Sequence, residues 1–358
     1  MDTVFKDLKV IELANVLAGP AVGMFFAELG ANVIKIENKL TNGDMTRSWK
    51  LASEDKKSKN SAYYSSVNWN KKSIFLDLTN INDRKKVLDL IKKADIVISN
   101  YKQGDDKKLG MDYASIKKIN PTIIYGHISG FGDKDKRIAY DLVLQAETGF
   151  MYMNGTPDSG PLKMPVAIID LMAAHQLKEG ILVALIKKLK TGKGAKVSVS
   201  LFDSAIASLA NQASNWLMAN HNPQPIGSLH PNIAPYGELF ITKDTKQIVL
   251  AVGTDKQFQE LCVFLKIKFI SSDPRFSSNT NRVKNRTELF KIIQSEFITY
   301  SAEKIIKNFI SKGIAAGVVK SVKEVFETAD LNNSILESID ETKTPSSRVK
   351  TVVFKMKS

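Results

Sequence analysis

Five short apolar runs, Val10–Leu13, Val33–Glu37, Ser73–Leu76, Ile96–Ser99 and Ile123–Ser129, recur through the first part of the chain, with helical patterns near Arg84–Ala94 and Tyr113–Ile119 between the later ones. Such alternation is the signature of βαβ units, whose crossovers cover a mostly parallel sheet on both faces. The first unit is the clearest. Its strand passes through Gly19-Pro20 into a helix to Leu29, Gly30 stops the helix, and LGANVIKIE leads into the second strand. The expected fold class is α/β. The polar stretch Lys39–Lys72 interrupts the series and carries Trp49, Tyr63, Tyr64 and Trp69. A segment that long inside a compact domain is usually functional or disordered, and its aromatics favour function.

At 358 residues the chain exceeds one core of about 150 residues, so two domains are expected. Residues Leu171–Leu189 read as a long helix stopped at KTGKG, where Gly192 can cap it. Val197–Ser200 then reads as a strand, followed by one helix through Trp216. Four prolines and two histidines fall within residues 220–235, which read as a linker. Beyond it, strands near Glu238–Thr242, Ile248–Val252 and Ala316–Val319 and helices near Lys256–Leu265, Leu289–Phe297 and Ala302–Lys312 make a smaller α+β unit. The expected boundaries are 1–219 and 236–330, with residues 331–358 returning to the first domain. Within that return Ser347–Ser358 reads as a strand that must dock, because VKTVVF is too apolar for water.

The formal charge of +14 admits a polyanionic partner such as nucleic acid, an anionic membrane surface or a polyphosphorylated small molecule. Only seven of the 51 basic residues are arginine, and the lysines are spread along the chain, so the charge reads as composition and no nucleic-acid partner is expected. The uncharged, largely apolar stretch between Glu12 and Glu28 is too short to span a bilayer. Neither export nor insertion is expected, and the single cysteine fits a reducing cytosol. Cys262 lies in the apolar run ELCVFL and reads as a buried, inert thiol; the four histidines are not spaced as ligands, and no metal is expected.

A strand, a Gly-containing turn, a helix and then Glu37 imitate a nicotinamide dinucleotide site, but LAGPAVG supplies Gly19 and Gly23 where GxGxxG needs three glycines. GHISG sets Ser129 one position late for a nucleophile elbow, and KTGKGAK lacks P-loop spacing; both read as turns. One acid stands out. In PVAIIDLMAAHQ, Asp170 follows an apolar segment at a helix start. The plain reading is an N-cap; the functional one is a desolvated carboxylate able to attack an activated carbonyl. Upstream, Tyr140-Asp141 opens AYDLVLQAETGF with a phenol and a second acid.

Together these pieces resemble the class III CoA-transferase family, the superfamily of formyl-CoA transferase and carnitine CoA-transferase that also contains α-methylacyl-CoA racemases. The matching stretches run in order from about Leu8 to Lys323: LAGPAVGMFFAELGANVIKIE, GDMTRSW, NKKSIFLDL, ADIVISNYKQG, LGMDY, NPTIIYGHISGFG, AYDLVLQAETGF, the Asp170 region, KTGKGAKVSVSLFDS, HPNIAPY and DPRFSSNTNRVKNR. The resemblance implies a Rossmann-like large domain that binds CoA, a smaller α+β domain and an interlocked homodimer in the cytoplasm. It implies no resident cofactor, CoA and acyl-CoA being substrates.

On this likeness Asp170 is the nucleophile, passing through mixed anhydrides and an aspartyl-CoA thioester. Tyr63, Tyr140 and Asp141 fall on active-site positions. The CoA contacts of relatives fall on Leu17, Ala18, Asn38, Leu76, Asn100, Tyr101, Lys108 and Arg137, with Lys39 beside Asn38 where relatives often carry arginine. The partners implied are an acyl-CoA donor and a small carboxylic acid acceptor. Two alternatives stay open, a racemase and a CoA-binding protein without turnover. The racemase branch carries a histidine where this chain has Tyr140, which removes its usual base near neutral pH.

Overall fold

The computed structural model describes residues 4–331, 333–339 and 345–356. In chain order its first part holds β1 (Lys9–Leu13), α1 (Ala18–Glu28), β2 (Asn32–Asn38), α2 (Ala62–Ser65), β3 (Lys71–Leu76), α3 (Ile81–Ile91), β4 (Ile96–Ser99), α4 (Asp105–Leu109), α5 (Tyr113–Ile119) and β5 (Ile124–Ser129). There follow α6 (Asp141–Glu147), α7 (Phe150–Met153), α8 (Ile168–Thr191), β6 (Ala195–Ser200), α9 (Leu201–Ala207) and α10 (Asn211–Ala219). The six strands form one parallel sheet in the order β3-β2-β1-β4-β5-β6, so the α/β expectation holds. That order reverses direction between β1 and β4, the point at which doubly wound sheets open a crevice at their strand ends.

Both faces of the sheet are covered. One core gathers α1, α8 and the inward residues of the strands around Val10, Ile98 and Ile128; the other gathers Val87, Ile91, Met111 and Ile116 from α3, α5 and the turn before α5. The smaller unit contains residues 153–161 and 224–330 and has its own core around Phe240, Phe258, Phe297 and Phe309. It holds β7 (Tyr236–Ile241), β8 (Gln247–Ala251) and β9 (Ala315–Val318) as an antiparallel sheet, with α11 (Asp255–Phe264), α12 (Asn279–Lys284), α13 (Arg286–Phe297), α14 (Ala302–Lys312) and α15 (Val322–Thr328). The larger unit takes in the chain up to Tyr152, Leu162–Pro223 and the residues from Leu331 onward.

Three local expectations are corrected. The helix expected from Ser200 to Trp216 is two, α9 and α10, because the backbone turns at Ala210, whose φ is +48°. GHISG is not a turn up to Ser129, since Gly126–Ser129 completes β5. The closing strand lies earlier than Ser347–Ser358: β10 (Ile335–Ile339) pairs antiparallel with β11 (Pro345–Val349). Of the VVF run Val352 is buried, while Val353 and Phe354 stay exposed, and Lys357 and Ser358 lie outside the described residues. The Glu28 carboxylate fixes this segment to α1, accepting the amides of Thr351 at 2.9 Å and Val352 at 2.7 Å.

The first βα turn rests on buried charge. Glu12 and Lys35 stand opposite one another on β1 and β2 and pair at 3.0 Å. Lys71 meets the other Glu12 oxygen at 2.7 Å, and Asp44 meets Lys35 at 3.1 Å, with all four side chains out of water. Burial works against the Lys35 ammonium, yet Glu12 and Asp44 outweigh it and keep the group charged; burial brings the Lys71 ammonium down to about 8. Spare protons go to carbonyls, Lys35 to Ala14 at 2.6 Å and Lys71 to Pro20 at 2.8 Å, while Asp44 accepts from the Val16 amide at 3.1 Å. Val16 is thereby held at φ +71°, a left-handed conformation unusual for a β-branched residue. The glycines of this turn answer to packing. A Cβ on Gly19 would lie 2.4 Å from the Ala14 side chain, and one on Gly23 would lie 1.9 Å from Glu12 Oε2.

Removing the shared cation leaves the buried Asp44 carboxylate without a cation and Glu12 with Lys71 alone. Lys35→Met is expected to cost about 3–5 kcal/mol, the range for breaking a buried ion pair from one side. Urea unfolding followed by circular dichroism measures it, and a loss under about 1 kcal/mol would show the network to be dispensable.

Candidate active site

Helix α8 begins at Ile168 behind Ala167, which has no side-chain oxygen to offer the free amides of the first turn. The acceptor comes from α6 instead: Asp141 Oδ1 takes the Ile169 amide at 2.8 Å. Asp170 is therefore the third residue of the helix and not its N-cap, which corrects the plain reading of that acid. Its side chain is 8% exposed, and among the described residues no hydrogen bond or ion pair reaches its carboxylate. Burial first, and the Asp141 charge second, push the Asp170 carboxyl up to about 7. A carboxylate with no donor and a like charge beside it holds its electron pairs ready.

Tyr63 faces the same acids from α2, whose start is capped by Ser61 Oγ accepting the Tyr64 amide at 2.9 Å. The ring is half-buried and stands edge-on to Trp49, with centroids 5.1 Å apart. Burial, then Asp170, Asp141 and Asp44, push its phenol up to about 12, so at neutral pH it is a donor. Asp141 itself is fully engaged, because Oδ2 accepts from Gln145 Nε2 at 2.6 Å. Tyr140 precedes it at the head of α6 and is exposed. The structure thus brings Asp170, Asp141 and Tyr63 within electrostatic reach of one another, while Tyr140 is joined to them only through its chain neighbour Asp141.

A cleft of about 340 Å³ opens at the carboxyl ends of β1 to β4, lined among others by Asn15, Asn38, Leu40, Leu76, Thr79 and Tyr101. Three of the expected CoA contacts, Asn38, Leu76 and Tyr101, meet there. Leu17 and Ala18 are buried where α1 begins. Asn100 spends its amide on the turn: Oδ1 accepts the Asn15 N–H at 3.0 Å and Nδ2 donates to the Asn15 carbonyl at 2.8 Å. The expected cations are paired and lie outside the cleft lining. Lys39 meets Asp83 at 2.8 Å, Lys108 meets Asp105 at 3.1 Å, and Arg137 meets Asp135 and Glu147 while lying 3.6 Å over the Phe131 ring. Glu37, which stands where a dinucleotide fold keeps its ribose acid, is spent on Arg47 at 2.6 Å, the Asp44 amide at 2.8 Å and the Tyr64 hydroxyl at 3.0 Å.

A family model described as CoA-transferase family III matches residues 5–358. The chain belongs to CoA-transferase family III. It is 37% identical over 327 residues to a succinate–glutarate CoA-transferase of Agrobacterium fabrum, covering 90% of this chain and 81% of that one. It is 33% identical to a succinyl-CoA:glutarate CoA-transferase of Homo sapiens, covering 94% of this chain and 76% of that one. Among solved structures, a CAIB/BAIF family protein from Brucella suis superposes with a TM-score of 0.86 at 34% identity, covering 99% of this chain and 93% of that one. The protein is a CoA-transferase, and CoA thioesters are its substrates.

Cys262 lies buried in α11, where burial pushes its thiol up to about 12, far from a reactive thiolate. Among the described residues no helix is long and apolar enough to cross a membrane. Gln145 and Asp44 were not singled out from the sequence. The legible trace of the buried network was Glu12 in VIEL and Lys35 in VIKIE, charges inside otherwise apolar strands.

The raised Asp170 carboxyl has a sign that can be measured. Its folded pKa lies above the unfolded value, so the stability it contributes is complete below about pH 4 and is lost as pH rises through about 7. Asp170→Asn removes that charge. The variant should melt close to wild type at pH 4 and several degrees higher at pH 8, on the order of the shift a few kcal/mol gives. Equal melting shifts at both pH values would mean that the carboxyl titrates normally.

Proposed function

We propose that this enzyme transfers CoA from a succinyl-CoA-type donor to a small dicarboxylic acid acceptor, with Asp170 as the covalent nucleophile. The observation that carries the reading is the buried carboxyl without a donor in the first turn of α8. The relatives named for succinyl, succinate and glutarate support the substrate class.

In the first step the Asp170 carboxylate attacks the donor carbonyl; the C–S bond breaks and CoA leaves as thiolate, giving a mixed anhydride. The thiolate then attacks the Asp170 acyl carbon and expels the donor acid as a carboxylate, leaving an aspartyl-CoA thioester. The acceptor carboxylate attacks that thioester and releases CoA thiolate, which takes the acceptor acyl group from the second anhydride and frees Asp170. No net proton is consumed. Only the ionised carboxyl is nucleophilic, and a basicity raised toward 7 strengthens it. Tyr63 donates toward oxygen developing negative charge, and Tyr140 borders the acceptor side. Asn38, Lys39, Leu76, Tyr101, Lys108 and Arg137 approach the CoA moiety, with Leu17, Ala18 and Asn100 shaping the turn against which its chain lies. Water exclusion is essential, since anhydrides hydrolyse.

The working enzyme is proposed to be an interlocked homodimer. Val183, Ile186 and Leu189 on α8 and Trp216, Leu217 and Met218 on α10 are exposed apolar side chains that a second copy would cover. Light scattering should then give twice the 39.7 kDa chain mass, and the chain mass alone would count against the dimer.

The mechanism is tested by trapping. After incubation with succinyl-CoA and hydroxylamine, peptide mass analysis should find the label on Asp170, and Asp170→Ala should abolish exchange with the fold intact. The acid limb of kcat/KM for the donor should fall near pH 7. A label confined to another residue overturns the assignment.

A further inference from the structure

Gln145 lies on α6 one turn after Asp141 and is fully buried. Buried side-chain amides must be satisfied, and this one is satisfied in a particular way. Its Nε2 donates to Asp141 Oδ2 at 2.6 Å and to the Met164 carbonyl at 3.3 Å, and its Oε1 accepts the Met164 amide at 2.7 Å. Asp141 turns its other oxygen to the Ile169 amide at 2.8 Å. An unbroken chain of contacts therefore runs from Met164, through Gln145 and Asp141, to the backbone next to Asp170.

We propose that Gln145 is a positioning residue for CoA transfer: it clamps Asp141 so that this carboxylate both holds the first turn of α8 and stands as a fixed negative charge beside Asp170. The inference rests on Asp170 being the nucleophile. It also changes the part played by Asp141. With one oxygen on the Ile169 amide and the other on Gln145, Asp141 acts through Asp170's position and charge, not as a proton carrier.

The clamp explains how a like charge is kept where it is unwelcome. Left to itself, Asp141 would rotate toward solvent and relieve the repulsion; tied at both oxygens, it cannot. Of the elements around this turn, α6 brings Asp141 and α2 brings the neutral phenol of Tyr63, while α1, α9, β5 and β6 bring no charge that moves Asp170.

Two substitutions of opposite electrostatic sense test this in the full-length enzyme. Gln145→Ala frees Asp141 to leave, so the acid limb of kcat/KM should shift to lower pH. Its kcat should drop roughly ten- to a hundredfold, the scale of a misplaced nucleophile, with KM for the donor within about threefold of wild type. Gln145→Glu keeps the acceptor for the Met164 amide but sets a third carboxylate against the pair, so the limb should move to higher pH. Thermal melting and CoA-dependent stabilisation check that each variant is folded. Hydroxylamine trapping on Asp170 is run in parallel. Absence of label in wild type defeats the nucleophile assignment. Label in wild type with both variants keeping its pH limb and kcat defeats the positioning role. Limbs that move in the same direction for both variants overturn the clamp in favour of simple loosening.

Discussion

The Lys35 ammonium, buried between Glu12 and Asp44, is the contact on which the site depends. A lone charge there would be prohibitive; two carboxylates and a second lysine, Lys71, balance it to neutrality with all four side chains buried. The balance has a geometric use. Asp44, drawn in by Lys35, takes the amide of Val16 and fixes the left-handed bend that starts α1 at Ala18. From the far side Asn100 grips Asn15. The turn that borders the strand-end cleft is thus pinned from both sides, so its shape is set by the fold itself.

A second theme is the separation of the strand-end cleft from the buried acids. The cleft at the ends of β1 to β4 is a product of sheet topology, and its lining is mixed, with Leu76 and Leu40 beside Asn15 and Asn38. Asp170 belongs to α8, on the face of the sheet that packs α1. Its raised basicity comes from withheld solvation and a like-charged neighbour, with no hydrogen bond among the described residues to temper it. Burial costs the fold stability and gives the carboxylate basicity, a local conflict of the kind that marks functional positions.

Much of this was legible in the sequence because parallel strands buried on both faces must be continuous apolar runs, and β4 stands at Ile96–Ser99 as the pattern placed it. Helix ends were legible where glycine marks them, as at Gly192. The break at Ala210 was not, since alanine is the residue least suited to announce a turn. Asp170 was visible as an acid in an apolar setting, but its helix position was not, because the cap of α8 comes from Asp141, 28 residues earlier in the chain. Gln145 escaped for the same reason: nothing in AYDLVLQAETGF tells which of its polar side chains faces inward until the helix is packed.

The buried charge network sets limits on how this protein can be recombined. Glu12, Lys35, Asp44 and Lys71 lie within sixty positions of one another, and each is tolerable only in the company of the others. A chimera that joins segments of two related enzymes should keep that whole stretch from one parent. Crossovers placed inside it mate a cation from one lineage with an anion pattern from another, whereas a junction in the Pro-rich 220s leaves every member with its original companions.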